Sequence, residues 1–193
     1  MTETVSMSDL VDRKYRFISE KSKIGPLNLP IYYKKLNILK FLQKPSLYFS
    51  RIPYSGKVDG EFKGNILKGK KEGLWETYWK NGRLAAKGHY KDGKLEGLWV
   101  YYWEDGTVMC KGYFNDQIPE GSVEGYHPNG QLSEKLHMEG GLENGPFEAY
   151  RENGTLKVKG YYKNGKQDGL WELYDENGRL SEKTLMKDGK QID

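Results

Sequence analysis

The chain has 193 residues, enough for one domain or one domain with an appendage. Aromatic residues make up 13%, too many for a disordered chain, and the lone cysteine, Cys110, excludes an internal disulfide framework. The net charge of +4 is unevenly placed: residues 1–48 hold nine Lys/Arg against four Asp/Glu, whereas the rest holds 22 against 23. A near-neutral remainder argues against nucleic-acid binding through a basic stripe. No apolar run approaches the ~20 residues of a membrane span. The opening MTETVSMSDLVDRKYRF lacks the charged-then-apolar order of a secretory signal, so a cytoplasmic protein is expected.

Residues 1–48 read as a helical capping segment. Leu10, Val11, Tyr15 and Ile18 have helical spacing over residues 9–22, with Ser8 as N-cap and Gly25-Pro26 as a break. A second helix is predicted from Ile31 to Gln43, bounded by Pro30 and Pro45. Its lysines, Lys34, Lys35, Lys40 and Lys44, leave two readings open. One is a cap over the exposed edge of the first hairpin; the other is a basic helix, residues 31–44, lying on an anionic membrane. Residues 49–72 look like a worn repeat. Lys63-Gly64 and Gly69-Lys70 fall in repeat columns, but Val58 stands where a turn glycine is expected.

Residues 73–193 are dominated by five consecutive blocks of 24 residues, beginning at Gly73, Gly97, Gly121, Gly145 and Gly169 without insertion or deletion. A fixed period of this length marks a repeat architecture, whose units stack to bury their apolar faces. Positions 9 and 10 of each block are Asn81-Gly82, Asp105-Gly106, Asn129-Gly130, Asn153-Gly154 and Asn177-Gly178. Such pairs signal hairpins, and a type I′ turn is expected there. Facing positions then sum to 19, which sets Glu76, Glu124, Glu148 and Glu172 opposite Lys87, Lys135, Lys159 and Lys183, with Val100–Lys111 the exception. The same rule sets Trp75, Trp99 and Phe147 opposite Gly88, Gly112 and Gly160, an aromatic-over-glycine arrangement. Alternation puts these rings with Leu84, Tyr90, Leu156 and Tyr162 on one face. The Glu–Lys pairs and the Tyr at position 6 of every block occupy the other. The fold class is all-β: an elongated, single meandering antiparallel sheet of repeated hairpins, with a short α-helical N-terminal segment.

The pattern G-x-W-E-x-Y…N-G-x-L…K-G-x-Y-K-x-G-K, over about residues 73–192, resembles the bacterial variants of the MORN repeat. It resembles most the YwqK-like antitoxins. The resemblance implies a non-enzymatic protein that binds a cognate protein toxin and neutralises it by occluding its active site. The alternative it implies is a scaffold or membrane-associated adaptor.

No chemistry-bearing constellation survives a comparison of columns. Gly64-x4-Gly69-Lys70 nearly matches a P-loop, but Gly88-x4-Gly93-Lys94 and Gly160-x4-Gly165-Lys166 repeat it in the same columns. His89, His127 and His137 have no metal-ligand spacing with Cys110. No catalytic residue, metal or cofactor is therefore expected. The candidate partner-binding residues are departures from the repeat: Trp79, Trp103, His127 and Arg151 at position 7, and Tyr101 at position 5. Large aromatics and Arg dominate interface hot spots. The alternative is that Trp79 and Trp103 fill space beneath the N-terminal segment.

Overall fold

The computed structural model describes residues 4–6, 48–49, 52–53 and 56–192. The expected helices over 9–22 and 31–43 lie outside these residues; every described element is a strand. In chain order they are β1 (Thr4–Ser6), β2 (Tyr48–Phe49), β3 (Ile52–Pro53), β4 (Gly56–Asp59), β5 (Phe62–Leu67) and β6 (Lys70–Tyr78). There follow β7 (Leu84–Lys91), β8 (Lys94–Tyr102), β9 (Val108–Asn115), β10 (Ile118–Tyr126) and β11 (Leu132–Glu139). The last are β12 (Leu142–Tyr150), β13 (Leu156–Lys163), β14 (Lys166–Tyr174), β15 (Leu180–Lys187) and β16 (Lys190–Ile192). Strands β4 to β16 form one open antiparallel meander, each bonded to the next in sequence. β1 pairs with β4 in parallel, covering the edge of the first hairpin, while β2 and β3 pair only with each other.

The register agrees with the pairing rule along most of each strand. Trp75 faces Gly88, Glu76 faces Lys87 and Thr77 faces Ala86, and the later hairpins repeat this. The turn type is different from the expected one. Trp79 N–H donates to the Arg83 carbonyl (2.8 Å) and Gly82 N–H to the Trp79 carbonyl (2.9 Å), with positive φ at Gly82 but not at Asn81. That is a three-residue loop closed by a left-handed glycine. It shortens the pairing by one residue, and an extra residue, Ala85, restores it as a bulge between Thr77 and Tyr78. The type I′ turns sit at the opposite ends of the strands, where Asp92-Gly93 and Asn164-Gly165 both have positive φ. Asx-Gly pairs occur at both ends of the repeat, so composition alone does not separate the two turn types.

These turns also bond to the preceding unit. Gly93, Gln117, Gly141, Gly165 and Gly189 each donate a backbone N–H to the carbonyl of the second residue of the strand after the preceding turn, 22 residues earlier. An insertion in any block would break this stack, which gives a physical reason for the invariant period. Asp116-Gln117 is the one I′ turn with a side chain other than Asp, Asn, Lys or Gly, and Gln117 is held at φ +73°. A left-handed side-chain-bearing residue costs roughly 1–2 kcal/mol relative to glycine. Gln117→Gly is expected to raise stability by about 1 kcal/mol, or ~2–4 °C for a chain of this size. A lower melting temperature would contradict the turn geometry.

The worn repeat also forms a hairpin. Its turn is at Asp59-Gly60, where Gly60 has φ +112°. The glycine missing at Val58 is thus supplied two residues later. Its second strand is back in phase, with Lys63 opposite Glu76.

The aromatic face holds the core, including Phe62, Ile66, Trp75, Tyr90, Trp99, Phe114, Val123, Leu136 and Met138. The rings of Trp75, Trp99 and Trp171 lie over a glycine of the preceding strand, not over the residue each faces in the hairpin register. A Cβ on Gly64 would be 2.4 Å from the Trp75 ring, on Gly88 2.2 Å from Trp99, and on Gly160 2.3 Å from Trp171. Trp75 and Trp99 are then latched by Nε1–H donation to the Asn65 and His89 carbonyls, 3.0 and 3.1 Å. Where the preceding strand carries Leu136 in place of glycine, the next ring is the smaller Phe147. Burial on this face is graded: Tyr90, Phe114 and Met138 are buried, whereas Tyr162 and Met186 in the same column are half-buried.

Candidate partner-binding surface

Trp79, Trp103, His127 and Arg151 occupy equivalent places, each following the last residue of a strand and each half-buried. Three of them bond to the next block. Trp79 Nε1–H donates to the Tyr102 carbonyl (3.2 Å), His127 Nε2 meets the Tyr150 carbonyl (2.9 Å), and an Arg151 guanidinium N–H donates to the Tyr174 carbonyl (2.7 Å). The carbonyl acceptor places the His127 proton on Nε2. Trp103 packs against the core, and its buried Nε1 finds no hydrogen-bond partner. Asn81 and Asn129 reinforce the link by donating to the Glu104 and Glu152 carbonyls.

This column is an inter-block staple, which the sequence reading missed. The available signal was that Trp, His and Arg share little except a terminal N–H donor. Asp175, the acceptor in the same column, instead accepts from Asn177 and Arg179 in its own turn. Tyr101 is 2% exposed and stacks on Trp99 with centroids 6.0 Å apart, so it presents no ring to a partner.

The other face carries a charge ladder. Register places Lys63, Glu76, Lys87, Val100, Lys111, Glu124, Lys135, Glu148, Lys159, Glu172 and Lys183 side by side across successive strands. Lysines reach in both directions, since Glu172 pairs with Lys159 (2.7 Å) and Lys183 (3.0 Å), and Lys111 pairs with Glu124 (2.9 Å). The conserved-column tyrosines complete it: Tyr78, Tyr126, Tyr150 and Tyr174 donate to Glu76, Glu124, Glu148 and Glu172. Hydrogen bonds from Lys159, Lys183 and Tyr174 hold the Glu172 carboxyl down to about 2, and the bond to Glu148 pushes the Tyr150 hydroxyl up to about 12. The charges of Glu124 and Glu172 are thus met by lysines within the sheet.

Beside the ladder runs an exposed stripe, apolar at both ends and broken by Ser122 and His137 in the third block. Leu74, Leu98, Tyr113, Tyr161, Leu170 and Leu185 are 40–52% exposed. Leu98 faces Tyr113 and Leu170 faces Leu185 in register, so the stripe follows from the pairing rule. Apolar rows of this extent, rimmed by charge, mark protein–protein contact surfaces.

Among the described residues, no group of three or more His, Cys, Asp or Glu is placed to hold a metal ion. No helix among the described residues is long and apolar enough to cross a membrane. The P-loop-like run Gly64–Lys70 is a strand, an I′ turn at Lys68-Gly69 and the start of the next strand, with no helix to receive a phosphate.

Comparisons with known proteins agree with the repeat. The crystal structure described as the GtfA/B complex bound to UDP and GlcNAc is similar at 14% identity and a TM-score of 0.28. That likeness covers 70% of this chain and 26% of the other, so it carries no functional argument. No curated protein sequence matches. The model of the MORN repeat variant matches residues 71–92, 95–116, 119–139, 143–164 and 167–188. These five units cover more than half of the chain, which therefore belongs to the MORN repeat variant family.

Proposed function

We propose that this MORN-repeat scaffold is an antitoxin or immunity protein that binds a cognate protein toxin and occludes its active site. The observation that carries the reading is the exposed stripe of Leu74, Leu98, Tyr113, Tyr161, Leu170 and Leu185 beside the charge ladder. Such a surface can bury apolar area against a partner and offer a charged rim to it. It offers a wide contact instead of a pocket, which suits occlusion of a cleft on another protein. Co-expression with the product of the adjacent gene should rescue growth from that product and give a stable complex on gel filtration. Absence of any toxic neighbour would favour the scaffold or adaptor reading.

Two candidate contacts remain to be separated, the stripe and the column of Trp79, Trp103, His127 and Arg151. With the stripe as the contact, Tyr113→Ala should weaken binding by about 2 kcal/mol, as hot spots do, and leave the melting temperature unchanged. Trp103→Ala should lower the melting temperature, because its indole packs against the core. The reverse pattern would assign the partner to the Trp103 column.

A further inference from the structure

The third block departs from its neighbours at one place on the aromatic face. In the second block Tyr101, Met109 and Cys110 fill that place and are buried. Their counterparts in the third block are Gly125, Ser133 and Glu134. The bulge turns Ser133 and Glu134 toward the same spot. A Cβ on Gly125 would meet Ser133 Oγ at 3.1 Å, Glu134 Cγ at 3.1 Å and Glu134 Oε1 at 3.5 Å. Ser133 is 4% exposed and its Oγ has no hydrogen-bond partner. Glu134 is 8% exposed and forms no ion pair or hydrogen bond among the described residues. A second carboxylate, half-buried Glu143, lies close enough to push the Glu134 carboxyl up, and both act on the Tyr162 hydroxyl.

We infer that the Ser133 hydroxyl and Glu134 carboxylate gathered over Gly125 are a recognition site for an arginine side chain of a partner protein. On the ladder face Glu124 and Glu172 are each met by lysine and tyrosine, whereas the buried Glu134 is met by neither. A guanidinium is planar, always charged and carries five donors, so one group can serve the Glu134 carboxylate and the serine oxygen together. Charge-assisted bonds of that kind are strongest where water is excluded. Tyr162, which forms a ring cluster with Phe147 and Trp171, supplies an aromatic neighbour for the cation. The location also suits entry from outside, since Ala149 and Val158, the next pair in these columns, are half-exposed. The site is on the face opposite the stripe, so it stands independently of any toxin seated there.

The test uses N-acetyl-arginine amide as probe and the backbone amides of the full chain as reporters in a 1H–15N titration. Saturable shifts are expected at Gly125, Ser133, Glu134 and Glu143. N-acetyl-citrulline amide, the neutral isostere, should leave them unmoved. Glu134→Gln should weaken the probe by about tenfold or more, as loss of a buried charge-assisted partner does. Gly125→Ala, which has an ordinary φ and crowds side-chain atoms only, should weaken it likewise. No shift with the arginine probe, equal shifts with the citrulline probe, or unaltered binding by Glu134→Gln would each overturn the assignment.

Discussion

Gly88→Ala is expected to lower stability by about 3 kcal/mol, a fall of roughly 6–12 °C in melting temperature for a chain of this size. The new methyl would stand 2.2–2.5 Å from three ring carbons of Trp99. The indole would have to lift, losing its bond to the His89 carbonyl and its edge contact with Tyr90, 5.1 Å between centroids. Gly88 has an ordinary φ, so backbone conformation contributes nothing to the cost. Gly82→Ala provides the contrast: nothing lies within 4 Å of its Cβ, but φ is +81°. That variant should lose only about 1–2 kcal/mol from left-handed strain. The cause is checked by adding Trp99→Leu to Gly88→Ala, which should cost much less than the two single changes summed. Strict additivity would contradict the ring-over-glycine lock.

Glu134 should make stability depend on pH in a direction opposite to most carboxylates. Burial, then the charge of Glu143, raises its carboxyl from 4.5 to about 7. Below 4.5 both folded and unfolded chains hold the proton, and the group has no effect on folding. Between 4.5 and about 7 the unfolded chain ionises first, so stability falls as pH rises. Above that range the loss is complete, on the order of 3 kcal/mol. Glu134→Gln should therefore be more stable than the parent at pH 8 by roughly that amount, with little difference near pH 4. Glu172, whose carboxyl is held down, contributes the opposite slope at low pH. For that reason the readout is the difference between parent and variant in urea unfolding. A difference that stays constant with pH would show that Glu134 is not a buried acid.

Much of the fold was legible because charge, turn and alternation all pointed to one register. Glu148 opposite Lys159 and Val100 opposite Lys111 followed from counting alone. What counting cannot supply is the direction in which a side chain leans. Trp99 faces Gly112 in register, yet its ring covers Gly88 on the other neighbouring strand. Turn type was illegible for a similar reason: Asn81-Gly82 and Asp92-Gly93 have equivalent chemistry, and the loop with its compensating bulge differs only in three dimensions. The candidate site was read less well. In the sequence, large side chains at one column have the character of contact groups, whereas in the fold Trp79, His127 and Arg151 spend their N–H groups on the next block's carbonyls. The exposed stripe was within reach, since Leu98 and Tyr113 satisfy the same pairing sum, but Ser122, Pro146, His89 and His137 in those columns interrupt its apolar pattern.

The most direct test of the account is an activity titration of the purified product of the adjacent gene, the toxin that the proposed function requires. A surface that binds and occludes must act one to one. Inhibition should grow linearly with added chain, reach completion at equimolar ratio, and reverse when the complex is dissociated. Complete inactivation by a small fraction of an equivalent would instead mean turnover, and would contradict the reading of this sheet as a binding surface.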